Sequence, residues 1–324
     1  MKCRSDQHAD LDSGRDFMAH NGCGMERLTP EWDEYELLDS GDGRKLERFG
    51  EFMLVRPEPQ AKWPPALAAK RWEVADGEFA KAARGQRGGW KFRQAVSVRW
   101  AMRRGNLKFW VQPTPSGHVG FFPDQACHWD WIEGVTKSAA RPVRVLSLFG
   151  HTGLATLAAA AAGAEVTHVD ASRPAVAWAR ENQSLSGLGE RPIRWIVEDA
   201  LTFIRREARR GHRYDAMVLD PPKFGRGPAG EVWKLGKSLP ELLTACRSVL
   251  SASPSSFVLL NVYTTVLTQG RIEKEAEQLR SWLQEMLRDF PAKIRAGELG
   301  IEDAAGRRIS ASVFARAEFH TRPR

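Results

Sequence analysis

Three acidic residues and a pair of glycines carry the spacing that could do chemistry. Asp170, Asp199 and Asp220 each stand where a short apolar run stops, and Gly150 and Gly153 follow an earlier run of the same kind. The first run leads into Phe149, Gly150, His151, Thr152 and Gly153, and Asp170 lies 20 residues beyond Gly150. The third run ends at Glu198 and Asp199, and the fourth at Asp220, Pro221, Pro222, Lys223 and Phe224. Glycines let a backbone turn tightly and let a ligand come close. A carboxylate at Asp170 can accept both hydroxyls of a ribose, each such charged hydrogen bond being worth roughly 1.5–3 kcal/mol. Taken singly the signals are ordinary. A glycine pair is usually a turn, a strand-terminal Asp is often a helix cap, and two prolines in a row make a rigid turn. The set is specific only if all four loops meet in space.

The elements that must bring them together are legible from the apolar periodicity. Strands over 143–148, 165–169, 193–197, 214–219 and 256–262 alternate with helices over 154–162, 174–184, 200–209, 239–250 and 272–287. Strict alternation predicts an α/β fold, a doubly wound, mostly parallel sheet with helices on both faces. Two further strands, over 293–297 and 311–318, add an antiparallel edge and bring the sheet to seven strands. In such sheets ligands bind beyond the carboxyl ends of the strands, at the switch point in strand order. Gly150, Asp170, Asp199 and Asp220 therefore converge on one edge.

Ahead of this sheet the texture differs. Residues 1–27 lack periodicity and are expected to be disordered, with Met25 an alternative start. Residues 28–125 are expected to form a small, mostly β domain, and 126–324 the domain that carries the site. The β signals are 35–38, a turn at Ser40, Gly41, Asp42 and Gly43, a strand over 48–56, a hairpin of 95–102 with 107–112, and a short strand over 119–122.

Composition narrows the class. The chain has 324 residues, 42% of them hydrophobic, and a net charge of +8. No run approaches the roughly 18–20 apolar residues of a membrane helix, and the first twenty residues lack the apolar core of a secretory signal, so a cytoplasmic protein is expected. The four cysteines, Cys3, Cys23, Cys127 and Cys246, form no C-x-x-C pair and no cluster with zinc spacing, so reduced thiols and no metal are expected. The positive charge is concentrated. From Lys81 to Lys108 there are nine Lys or Arg and no Asp or Glu, and Trp90, Phe92, Trp100, Phe109 and Trp110 lie within that stretch or just after it. Cations neutralise phosphates and aromatic faces stack on unpaired bases. Lys91, Arg93, Arg103 and Arg104 are thus candidates for RNA contact, against the plainer reading of a solvated face whose aromatics are core. The glycine loop has only two of the glycines of G-x-G-x-x-G, which suits a ligand without a pyrophosphate, and no G-x-x-x-x-G-K-[ST] is present.

These residues resemble the class I S-adenosylmethionine-dependent methyltransferases, especially the bacterial 23S ribosomal RNA enzymes that modify cytosine C5 or a guanine. That family has a loop close to F-x-x-T-G, a second strand ending in V-D and a fourth ending in D-P-P-K-F. All three are present, and Asp124 and Gln125 match a D-Q pair that precedes the family's catalytic core. The resemblance covers about residues 105–318, and no PUA-type RNA-binding domain is recognisable upstream. It implies S-adenosyl-L-methionine as cofactor and roles for named residues. Phe149, Gly150, Thr152 and Gly153 would flank the methionine end. Asp170 with Ala171 would hold the ribose, and Asp199 with Ala200 the adenine. Gln125 and Asp220 would approach the same site. Asp220, Pro221, Pro222, Lys223 and Phe224 would line the acceptor pocket, where a base must be flipped in. One departure matters. The cytosine enzymes carry a nucleophilic cysteine at the end of the fifth strand, where this sequence has Asn261, Val262 and Tyr263. A base nitrogen is therefore the expected acceptor. Two alternatives stay open on sequence: a methyltransferase for protein or a small molecule, and a noncatalytic RNA-binding relative.

Overall fold

The computed structural model describes residues 3–5, 25–80, 88–93, 99–251, 256–263 and 272–319. Strands β1 (Cys3–Ser5) and β2 (Glu26–Pro30) come first. A small sheet follows: β3 (Tyr35–Gly41), β4 (Arg44–Phe49), β5 (Phe52–Pro57), a one-turn helix α1 (Ala69–Glu73), β6 (Gly77–Ala80) and β7 (Gly89–Phe92). Then come the hairpin β8 (Trp100–Arg104) and β9 (Leu107–Val111), a 3-10 turn over Pro123–Gln125, and helix α2 (Ala126–Lys137). The alternating part runs β10 (Arg144–Leu148), α3 (Leu154–Ala161), β11 (Glu165–Asp170), α4 (Arg173–Leu185), β12 (Ile193–Val197), α5 (Ala200–Arg209) and β13 (Ala216–Leu219). A two-stranded excursion, β14 (Phe224–Arg226) and β15 (Val232–Lys234), precedes α6 (Leu235–Val249). The chain continues through β16 (Phe257–Tyr263) and α7 (Ile272–Met286) to the long hairpin β17 (Ala292–Glu302) and β18 (Arg308–Phe319).

The large sheet has the order β1-β2-β17-β18-β16-β13-β10-β11-β12. Strands β12, β11, β10, β13 and β16 are parallel, and β18 and β17 are antiparallel additions. These are the seven expected strands, joined at one edge by two N-terminal ones. Strands β10, β13 and β16 are buried along nearly their whole length, as parallel strands covered on both faces must be. From β10 the chain winds outward to β11 and β12, then returns to β13 on the other side. The switch point therefore lies between β10 and β13. Local chemistry starts the helices that follow β11 and β12. Ser172 caps α4, with Pro174 in the first turn, and Asp199 caps α5.

Three expectations are corrected, and a fourth lies partly outside the described residues. The disordered tail over 1–27 contains strand β1 and the start of β2, and the residues between them up to 24 lie outside the described part. The strand expected over 48–56 is split by a turn at Gly50 into β4 and β5. Residues 119–122 form no strand, bending at Gly120 (φ 98°) and Phe121; Gln112 and Thr114 donate their N–H groups to the Val119 and His118 carbonyls. The hairpin β8–β9 starts at Trp100, residues 94–98 lying outside the description.

Packing ties the N-terminal sheet to the large sheet. Trp32 is ringed by Tyr35, Phe109, Phe121 and Trp129 at 5.5–6.0 Å between ring centroids, so one core runs from β3 through β9 to α2. On the far side Arg307 pairs with both Asp39 and Asp303, and Gln60 donates to the Ser310 carbonyl at 2.7 Å. The loop after β5 is thereby held across the mouth of the large sheet.

Candidate active site

The glycine loop leaves β10 in a strained conformation. Phe149 and His151 have φ of 56° and 48°, values non-glycine residues adopt at a cost and keep mostly at functional sites. What holds them is Asp170 at the end of the next strand. Its Oδ2 accepts the His151 N–H at 2.8 Å and its Oδ1 accepts the Ser172 N–H at 2.8 Å. A carboxylate has about four lone-pair sites, so two acceptor positions remain. Gly150 is required because a Cβ there would lie 2.3 Å from the His168 ring, and Gly153 because its φ is +87°. At the third strand end, Asp199 uses one oxygen to cap α5 through the Thr202 N–H at 2.9 Å, and Glu198 pairs with Arg206 at 2.5 Å.

Across the switch point the arrangement is different. Asp220 accepts a hydrogen bond from Asn261 Nδ2 at 2.7 Å. The Asn261 Oδ1 lies 3.2 Å from His128 Nε2, and His128 Nδ1 lies 2.5 Å from Arg316 Nη2. Burial lifts the Asp220 carboxyl to about 7; the Asn261 hydrogen bond opposes this and the Asp124 carboxylate adds to it. Burial likewise lifts Asp124 to about 6. His128 is driven well below its usual range by burial and by Arg316, so it is neutral.

Both halves open on one cleft of about 820 Å³. It is lined by Asp170, Asp199 and Asp220 at the strand ends, and by Lys45, Glu58, Asp124 and Ser310 from the N-terminal sheet, its loop, the 3-10 turn and β18. Arg56 joins this lining from a buried pair with Glu47 at 2.7 Å. A smaller cavity of about 60 Å³ lies under the glycine loop, lined among others by Gln125, Ser147, Gly153, Asp220 and Asn261. The buried Ser147 hydroxyl has no hydrogen-bond partner. Among the described residues, no group of three or more His, Cys, Asp and Glu could hold a metal ion, and no helix is long and apolar enough to cross a membrane.

The structure brings together Phe149, Gly150, Asp170, Ala171, Asp199, Ala200, Gln125, Asp220, Pro221, Pro222 and Lys223 around the cleft and the cavity beneath it. Thr152 lines the smaller cavity, but its hydroxyl donates to the Gly120 carbonyl at 2.6 Å and anchors the loop before α2. Phe224 is corrected: it is not part of the cleft lining and stands 53% exposed on β14. Arg104 is corrected as well. It is 4% exposed, pairs with Asp130 at 2.6 Å and lies over the Trp32 ring, so it belongs to the core. Trp100 and Phe109, in the same basic stretch, are also core. Lys91, Arg93 and Arg103 are exposed, and Phe92 stacks on Trp90 at the surface. Lys81, Arg84 and Arg87 lie outside the described residues. Sequence reasoning missed Lys45, Glu58, His128 and Arg316. No spacing could have found them, since only tertiary contact makes them neighbours of the site.

Comparison with known proteins places this architecture. No family model matches the sequence. The chain is 42% identical to a SAM-dependent methyltransferase from Agrobacterium tumefaciens of known crystal structure, over 90% of this chain and 92% of that one, with a TM-score of 0.82. A methyltransferase structure from Streptococcus mutans shares the fold at a TM-score of 0.66 and 16% identity. Among relatives known by sequence, ribosomal RNA large subunit methyltransferase K/L of Methylococcus capsulatus is 34% identical over 203 residues, 61% of this chain and 26% of that protein. Ribosomal RNA large subunit methyltransferase I of Aeromonas salmonicida is 34% identical over 168 residues, 50% of this chain and 39% of that protein. The chain thus spans well under half the length of either.

Proposed function

This chain belongs to the S-adenosylmethionine-dependent methyltransferases, and we propose that it transfers the methyl group to a base nitrogen in RNA, ribosomal RNA of the large subunit, in the cytoplasm. The residues present fit the cofactor. The cleft carries carboxylates at Asp170, Glu198, Asp199 and Asp220, which suits a cation bearing a ribose and an amine, and the unpartnered Ser147 hydroxyl offers a polar group in the cavity beneath the glycine loop. Asp170 would hold the ribose hydroxyls, Asp199 and the Ala200 backbone the adenine, and Phe149 to Gly153 with Gln125 the methionine end. When bound, the cofactor supplies a methyl group on a sulfonium leaving group.

The chain's own task is then to present a nucleophilic nitrogen in line with that methyl. Asp220 is the observation that carries the reading: a carboxylate with one oxygen fixed by Asn261, in the cleft that Asp124 and Lys45 also line. The other oxygen would accept an acceptor N–H, leaving the nitrogen lone pair toward the methyl. The nitrogen would so be oriented for transfer, and its proton would pass to the Asp220 carboxylate. Pro221 and Pro222 fix the backbone behind Asp220. A nitrogen acceptor is favoured over cytosine C5 because no described cysteine lines the cleft. Cys246 is fully buried in the core between α6 and its neighbours, and burial pushes its thiol up. RNA is supported by the names of the relatives and by the exposed Lys91, Arg93 and Arg103.

The test is transfer of a labelled methyl from the cofactor to RNA from cells lacking the gene, followed by mass spectrometry of the nucleosides. The expected product is one N-methylated base in large-subunit RNA. Label found only in protein or small molecules would reject RNA as the acceptor, and label at cytosine C5 would reject nitrogen.

A further inference from the structure

We propose that Arg316, acting through His128 and Asn261, is a positioning residue for Asp220, fixing the Asn261 amide so that the carboxylate is presented as a hydrogen-bond acceptor. The proposal rests on the reading of Asp220 as the group that receives the acceptor's proton.

The relay has only one consistent set of donors. Arg316 has no acceptor, so its Nη2 and Nε, at 2.5 and 3.2 Å, require His128 Nδ1 to carry a lone pair. The neutral ring must then carry its proton on Nε2, which donates to Asn261 Oδ1 at 3.2 Å. That leaves the Asn261 Nδ2 for Asp220 Oδ1 at 2.7 Å. Without the arginine, the other tautomer of His128 would turn a lone pair to Asn261. The amide could then flip and set its oxygen against the carboxylate, which favours protonated Asp220.

Each member is held. Arg316 is 8% exposed, donates to the Cys127 carbonyl at 3.1 Å and lies 5.0 Å from the Trp131 ring centre. The His128 ring meets Phe314 edge-on at 5.1 Å. Asn261 is 2% exposed on β16. The line therefore crosses β18, α2 and β16 to the end of β13. The charged and titratable groups around its end include Asp124 from the 3-10 turn, Lys45 and Arg56 from the N-terminal sheet, Glu58 from the loop after β5, His118 ahead of the 3-10 turn, His151 from the glycine loop, Tyr263 from β16, and Lys223 beyond Asp220 itself. None of these contacts the Asn261 amide in place of His128.

His128→Phe removes both ring nitrogens, whereas the His128→Gln amide can accept from Arg316 and donate to Asn261. For His128→Phe the expected result is a fall in kcat of about 10²-fold with KM for RNA little changed. The acid limb of the pH–rate profile should move up by about one unit, with cofactor affinity by calorimetry unaltered. His128→Gln should recover most of kcat and the original limb. Carbon-13 titration of the Asp220 carboxyl in the protein without RNA reads the same shift independently of the acceptor. Should the wild type methylate no RNA, the proposed function fails while this titration still decides the relay. An unshifted midpoint in His128→Phe overturns the proposal. If that variant does not fold, a midpoint displaced in His128→Gln overturns it alone, and Arg316→Met should shift it as His128→Phe would.

Discussion

The two halves of the cleft are built in opposite ways. On the proposed cofactor side the acidic residues are fixed mostly by groups near them in the chain: Asp170 by the N–H of Ser172, two residues on, and Asp199 by the N–H of Thr202, with the His151 N–H reaching Asp170 from the loop of the neighbouring strand, 19 residues back. On the proposed acceptor side Asp220 is fixed by Asn261, 41 residues away, and Asn261 by His128, 133 residues away. Apart from the His151 contact between neighbouring strand ends, the first half is a set of turns and caps that a strand-to-helix connection can make. The second exists only once β13, β16, β18 and α2 have packed. Binding is thus expected to depend on the local half and chemistry on the assembled one.

The sharpest way to break that division is Asp220→Asn. Its kcat at pH 8 should fall about 10³-fold with cofactor affinity within a factor of about three of wild type; a parallel loss of cofactor binding by calorimetry would merge the halves. Asp170→Ala should do the reverse. Losing the charge-assisted bonds to the ribose is expected to weaken cofactor affinity about 100-fold while affinity for RNA, by filter binding, stays put.

The basic stretch offers a third test, because it too divides into assembled and local parts. Arg104→Ala removes a buried guanidinium and should cost about 2 kcal/mol in urea unfolding with no change in the salt dependence of RNA affinity. Lys91→Ala with Arg103→Ala should leave the urea midpoint unchanged and lower the slope of log affinity against log salt by about one for each cation. Equal slopes in the two variants would remove the exposed cations from the RNA surface.

The smallest effect concerns stability. Asp220 titrates near 7 in the folded chain against an ordinary 3.8. Between those values the folded state holds a proton the unfolded state has released, so its contribution to stability falls as pH rises and is least above 7. Asp124, lifted to about 6, acts in the same sense. Asp220→Asn should therefore be more stable than wild type by about 1 kcal/mol at pH 8, the gain vanishing near pH 4. A gain independent of pH would mean that the carboxylate is not desolvated. The activity limb has the opposite sign: methyl transfer should rise as pH passes 7 and Asp220 ionises.

Legibility followed the same division. Alternating apolar runs predicted the strands β10 to β13 and β16 with their helices, because parallel strands buried on both faces and amphipathic helices differ in period. Asp170 and Asp199 were readable because a strand end is a local event. Arg104 was misassigned because charge along the chain says nothing of which side of a hairpin meets Trp32 and Asp130. Phe224 was placed in the pocket because the excursion of β14 and β15, which carries it to the surface, leaves no periodic signal at three residues a strand.

By itself the sequence determined the order of strands and helices along the chain, the left-handed turn at Gly153, and the carboxylates that end the second, third and fourth strands of the alternating part. These depend on interactions within a few residues, and local sterics and capping settle them. Only the tertiary structure decided which side chains face Asp220, which cations stay in water and how large the cleft is. Those outcomes depend on contacts between residues far apart in the chain, whose partners no spacing records.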